Sequence, residues 1–99
     1  MLYRLLPLLL LPAALHATDF PVSGQIVDAA TGRPLADANI TAGDKGSRSD
    51  QNGRFTLLLA PGDSLRISFV GYETLTVQPP AAIDALVIRL RRAVLAAPE

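Results

Sequence analysis

From Val22 onward the chain alternates between apolar and polar positions in short runs. Val22-Ser23-Gly24-Gln25-Ile26 sets apolar or small residues against polar ones, the period of a half-buried strand. Ala38 to Ala42 repeats the pattern, and Ser47 to Ser49 is a weaker, polar run suited to a sheet edge. Phe55 to Leu59 places Phe55, Leu57 and Leu59 on one face. Leu65-Arg66-Ile67-Ser68-Phe69 alternates without fault. Thr74 to Val77 turns Leu75 and Val77 inward, and Leu86 to Leu90 does the same for Leu86, Ile88 and Leu90. The predicted core is therefore Phe55, Leu57, Ile67, Phe69 and Leu75, with Thr56, Arg66 and Thr76 facing water.

Turn chemistry separates these runs. Asp28 to Gly32 is a turn, and Pro34 keeps the following residues out of a strand, leaving Leu35 as a lone apolar plug. Gly43 to Gly46, Pro61-Gly62, Gly71-Tyr72 and Pro79-Pro80 punctuate the rest. Asn52-Gly53 between two strand-like runs is a strong hairpin signal, because both residues tolerate positive φ. A helical period is absent, and only the tail from Arg91 to Glu99 has room for a helix. Six or seven short strands predict an all-β sandwich spanning residues 18–90, with 91–99 as a short C-terminal tail.

The first seventeen residues follow a different logic. Arg4 precedes the apolar run Leu5 to Leu15, and Leu15-His16-Ala17 ends in a small residue. This is the layout of a secretory signal peptide over residues 1–17, removed before Thr18. The competing reading is a membrane anchor. Eleven helical residues reach roughly 16 Å, about half the hydrocarbon thickness of a bilayer. Pro7 and Pro12 weaken such a helix further. Removal is the better reading, and no transmembrane span is expected in the mature chain.

Charge and composition narrow the chemistry. Nine basic and nine acidic residues leave the chain formally neutral, and loss of Arg4 alone takes the mature chain to −1. No basic face is implied, so nucleic acid is not an expected partner. Cysteine is absent and the single histidine, His16, lies in the leader. Residues 18–99 thus lack the commonest general base, a thiol nucleophile and the usual zinc ligands. Asp44, Asp50 and Asn52 offer hard oxygen ligands for calcium, but Asp50-Gln51-Asn52-Gly53 lacks the further acids of a calcium loop and suits a tight turn. Asp28 and Asp37 read as turn and loop residues, and Ser64 and Ser68 have no partner base. Arg89, Arg91 and Arg92 make a basic end that stops the last strand and aids solubility; contact with an acidic partner or anionic lipid is the lesser reading. Tyr72 reads as a packed corner residue whose hydroxyl bonds a loop backbone. No catalytic, cofactor-binding or metal-binding residue is assigned, and no cofactor is expected.

Four blocks carry a resemblance. They are Val22-x-Gly24-x-Ile26-x-Asp28, Thr31-Gly32-x-Pro34-Leu35-x-x-Ala38-Asn39-Ile40, Asp50-x-Asn52-Gly53-x-Phe55, and Gly71-Tyr72-Glu73-Thr74. In this order and spacing the chain resembles the carboxypeptidase-regulatory-like domain. The resemblance implies a small Greek-key β-sandwich similar to transthyretin, found N-terminal to outer-membrane receptors, including TonB-dependent ones, or beside peptidases, and generally non-catalytic. The transthyretin-like hydrolases share the fold but depend on histidines that residues 18–99 lack. No plug or barrel sequence follows Leu90, so the expectation is a free module or the N-terminal piece of a longer receptor, not a transporter. The expected function is an exported, non-enzymatic structural or interaction module of the cell envelope, periplasmic or outer-membrane associated, contacting a larger envelope protein through an edge strand or loops. A small-ligand or carbohydrate-binding sandwich is the alternative.

Overall fold

The computed structural model describes residues 18–94; the expected leader and the last five residues of the tail lie outside them. Seven strands form: β1 (Phe20–Asp28), β2 (Asn39–Ala42), β3 (Lys45–Arg48), β4 (Arg54–Leu59), β5 (Leu65–Ser68), β6 (Leu75–Val77) and β7 (Ile83–Leu90). They make a three-stranded sheet, β4-β1-β7, and a four-stranded sheet, β3-β2-β5-β6. The chain passes between sheets after β1, β3, β4 and β6, so each sheet is built from distant segments. This is the all-β sandwich expected, and no helix occurs among the described residues.

Alternation explains the core. β4 reads exposed-buried three times over, with Phe55, Leu57 and Leu59 inward. From β5, Leu65 and Ile67 meet them, both fully buried. Val22, Ile26, Ala38, Ile40, Ala42, Ile88 and Leu90 complete the cluster, and Phe20, Leu35, Phe69, Tyr72, Val77 and Leu86 pack around its margin. Thr56, Arg66 and Thr76 face out as predicted.

Three expectations need correction. Leu75 is 37% exposed, not core. It pairs with Ile67 and shares its face, but β6 is an edge strand of a four-stranded sheet packed on three strands, so Leu75 overhangs the facing sheet. Phe69 lies just past β5 and is only half-buried, its ring 5.6 Å from that of Tyr72. The Asn52-Gly53 turn closes no hairpin: β3 pairs with β2 and β4 with β1, so the turn carries the chain from one sheet to the other. Gly53 does adopt positive φ (76°), and an added Cβ would lie 2.5 Å from the Ile26 carbonyl oxygen.

The central strand β1 pairs antiparallel with β4 and parallel with β7. Val22 is opposite Ile83 but Gly24 is opposite Leu86, so β7 carries one extra residue there, a bulge at Asp84-Ala85. Gly24 makes that irregularity possible, since a Cβ at this position would overlap the Leu86 carbonyl oxygen.

Candidate functional site

Among the described residues the most densely bonded polar side chain is Asp28. It ends β1, is 2% exposed, and is flanked by the turn that follows. One carboxylate oxygen, Oδ1, accepts the backbone N–H groups of Ala30 (2.7 Å) and Thr31 (2.9 Å). The other, Oδ2, accepts the Tyr72 hydroxyl (2.6 Å) and Arg92 Nε (2.9 Å). Gly71, at φ 87°, turns the chain sharply enough to bring Tyr72 over this carboxylate. Arg92 arrives because the segment after β7 runs alongside residues 71–73. Glu73 N–H bonds the Arg91 carbonyl (2.8 Å) and Ala93 N–H bonds the Gly71 carbonyl (2.9 Å).

The Tyr72 hydroxyl, then the Thr31 amide, with Arg92 and Ala30 adding to them, hold the Asp28 carboxyl well below the usual carboxylate range, against the opposing effect of burial. The same contacts raise Arg92 above its ordinary value, Asp28 foremost. Both oxygens are fully engaged. A carboxylate this acidic and this saturated is a poor general base, so the arrangement is a fastener between three chain segments.

Two expectations change here. Tyr72 bonds a carboxylate rather than loop backbone, and Arg92 is an ion-pair partner rather than a plain surface charge. Asp28 is a turn residue as expected, but also the centre of a network that sequence reasoning missed. Its partners are 44 and 64 residues away, and only the Gly71-Tyr72 corner hinted at it.

The other candidates are dispersed. Asp50 caps its own turn, Oδ1 accepting the amides of Asn52 (2.9 Å) and Arg54 (2.8 Å). Asp37 is exposed at φ 64° in the loop before β2, and its amide bonds the Ser49 carbonyl. Asp44 lies in the β2–β3 turn and Ser64 before β5, both exposed, while Ser68 sits opposite Asn39 across β5 and β2. Among the described residues no three His, Cys, Asp or Glu side chains cluster as a metal site. Ser49, read only as part of an edge, is 2% exposed and pins the loop before β2, accepting from Ala38 N–H (2.9 Å) and donating to the Leu35 carbonyl (2.6 Å).

A concavity of about 520 Å³ runs along the outer side of the three-stranded sheet beside the bulge. Its polar lining includes Ser23, Gln25, Thr56, Asp84, Arg54 and Arg48.

The sequence model of the carboxypeptidase regulatory-like domain matches residues 21–91. The chain belongs to that family. Three of the four blocks that pointed to it now have physical roles: Gly24 at the bulge, Asp28 and Tyr72 in one network, and Asp50 and Gly53 in the turn between sheets. No curated protein matches this regulatory-like domain. Among solved structures it is similar to a protein of Bacteroides fragilis NCTC 9343 described as membrane-associated and of unknown function, at 23% identity and a TM-score of 0.57. That likeness covers 79% of this chain and 29% of the other. It is also similar to 3-chlorocatechol 1,2-dioxygenase from Rhodococcus opacus 1CP, at 17% identity and a TM-score of 0.57, covering 79% of this chain and 61% of that one. Both likenesses are of fold, and the regulatory-like domain spans less than two thirds of either protein.

Proposed function

We propose that the protein is an exported, non-catalytic interaction module of the cell envelope that contacts a larger protein through a strand edge or its loops. The observation that carries this reading is the state of Asp28: the one deeply buried carboxylate among the described residues is consumed in fastening β1, the Gly71-Tyr72 corner and the segment after β7. Residues 18–99 also contain no histidine or cysteine to take up chemistry in its place. Family membership and the description of the Bacteroides protein as membrane-associated both favour an envelope setting. The apolar run of the first seventeen residues supplies the route there as a removed signal peptide.

The edges differ in what they offer. β3 is short and carries Lys45 and Arg48, a guarded edge. β6 has three residues. β7 has eight, and only one side of it is paired, so it is the longer template for strand addition. Photo-crosslinkers placed at Val87 on β7 and at Arg48 on β3 test this in envelope preparations. The expected result is a discrete adduct from Val87 that is absent from Arg48. Equal, diffuse labelling from both positions would remove the edge-docking reading. A small-ligand reading is favoured separately by the polar concavity of about 520 Å³, a size ordinary for ligand sites.

A further inference from the structure

The concavity on the outer side of the three-stranded sheet has a polarity that its strand order creates. β1 lies in the middle, β4 on one side and β7 on the other. Arg54 starts β4, and Arg48 ends β3 at the near side of the same turn; both line the concavity. Asp84 lines it from β7, on the far side of β1. The bulge places Asp84 here. The extra residue opposite Ser23 puts Asp84 and Ala85 both on the exposed side, before Leu86 returns inward. Among the described residues Arg48, Arg54 and Asp84 are in no ion pair with one another or with any other group. Asp50 also lines the basic end, but its Oδ1 serves the turn amides. That end therefore holds two guanidinium groups and one carboxylate, a net positive charge, with one Asp50 oxygen tied to the turn, and the other end holds one carboxylate alone.

Between the poles the lining is uncharged and has bonding capacity to spare. The hydroxyls of Ser23 and Thr56 bond each other at 3.0 Å, which leaves each with further capacity. Gln25 donates from Nε2 to the Asn52 carbonyl, leaving its amide oxygen as an acceptor. Among the described residues no aromatic ring on this face offers a stacking platform for a sugar; Phe55 points into the core. The geometry instead fits a ligand that carries opposite charges at its two ends and amide groups between them.

Its length follows from the register. Arg54 is opposite Gln25, and Asp84 lies beside Ser23, two residues along β1 and two strands across. Two inter-strand spacings are about 10 Å and two residues of strand about 7 Å, a diagonal on the order of 12 Å. Extended peptide spans about 3.3–3.6 Å per residue, so three or four residues match it. We propose that this groove binds a short free peptide of three or four residues, its C-terminal carboxylate between Arg48 and Arg54 and its N-terminal ammonium on Asp84.

The test is NMR titration of the purified, ¹⁵N-labelled protein with tetra-alanine carrying both free ends, and with its N-acetylated, C-amidated and doubly blocked forms. The free peptide is expected to shift the amides of Ser23, Gln25, Thr56 and Val87 in a saturable way at or below about 10 mM. Either block should weaken binding about tenfold. Arg54→Gln should shrink the penalty of amidation, and Arg48→Gln combined with Arg54→Gln should abolish it, while both keep the penalty of acetylation; Asp84→Asn should abolish the penalty of acetylation and keep that of amidation. These side chains lie on the surface, and an unchanged melting temperature confirms that each variant is folded. Absence of saturable shifts, or shifts confined to other faces, would overturn the proposal. So would equal binding of the doubly blocked peptide, which would mark the groove as a seat for an internal segment of a partner protein.

Discussion

Single residues hold this sandwich in ways that can be measured one at a time. Ser49 is the plainest. Its hydroxyl satisfies both Ala38 N–H and the Leu35 carbonyl in a site closed to water. Ser49→Ala should cost about 1–3 kcal/mol, the penalty for leaving buried polar groups unpaired, and chemical denaturation reads it directly. Asp28 makes a pH-dependent contribution. Its folded-state pKa is depressed, so its stabilisation is fully present above the unfolded carboxylate value near 4 and is lost as pH falls toward the folded value. The melting temperature should thus decline on acidification below about pH 4, and Asp28→Asn should lower it at neutral pH while flattening that acid slope. A variant that keeps the parent's slope would assign acid sensitivity to other carboxylates. Little of this was legible in the sequence. Alternation reports which face a residue takes, but not which distant residue it meets. Asp28 satisfies turn chemistry locally, and its contacts with Tyr72 and Arg92 exist only once β1, the Gly71 corner and the end of β7 converge. Ser49 looked like an exposed edge residue because the loop that covers it, Leu35 to Ala38, has no periodicity of its own.

At the level of strands, the sequence was informative wherever one face meets the core and the other meets water. β4 and β5 were readable residue by residue for that reason. The errors fall where coverage, not orientation, decides burial. Leu75 points the right way, but no strand of the smaller sheet lies beneath it. Phe69 was assigned by continuing the β5 alternation past its end. The energetic order follows. Ile67→Ala, at a fully buried position, should cost about 2–5 kcal/mol. Phe69→Ala should fall below the ~3–5 kcal/mol typical of a fully buried Phe, and Leu75→Ala should cost no more than about 1 kcal/mol. Urea unfolding of the three variants decides it, and a Leu75→Ala loss as large as that of Ile67→Ala would mean that β6 is covered in solution. The Asn52-Gly53 turn teaches a related lesson. Turn propensity is local and was read correctly, but strand pairing is not. β1 offers β4 a six-residue antiparallel partner, whereas β3 is already joined to β2 through the tight Gly43-Asp44 connection. The same non-local pairing produces the bulge in β7, which no pattern in Ile83 to Leu90 announces and which gives the outer groove its shape.

For the whole molecule the open issue is whether it performs chemistry or holds other molecules. The similarity to a dioxygenase does not decide this, because at 17% identity it reports a shared sandwich and nothing of a reaction. What bears on it is the supply of reactive groups. Catalysis by proton transfer needs a side chain able to gain and lose a proton near working pH, held within reach of a substrate. The mature chain would contain no imidazole and no thiol, and the one buried carboxylate among the described residues is pushed the wrong way for a base and has both oxygens occupied. The groove residues Arg48, Arg54 and Asp84 can bind charge, but a lone exposed aspartate with no activating neighbour gives little acceleration. The expected outcome is therefore that the purified chain, beginning at or near Thr18 by intact mass, shows no turnover in peptidase, esterase or glycosidase assays. It should nonetheless hold its groove ligand. Reproducible turnover that follows the protein through purification and disappears in Asp84→Asn would make the groove an active site and the module an enzyme. Turnover lost only in Asp28→Asn, together with the fold, would show no more than that the fastener is needed for the structure.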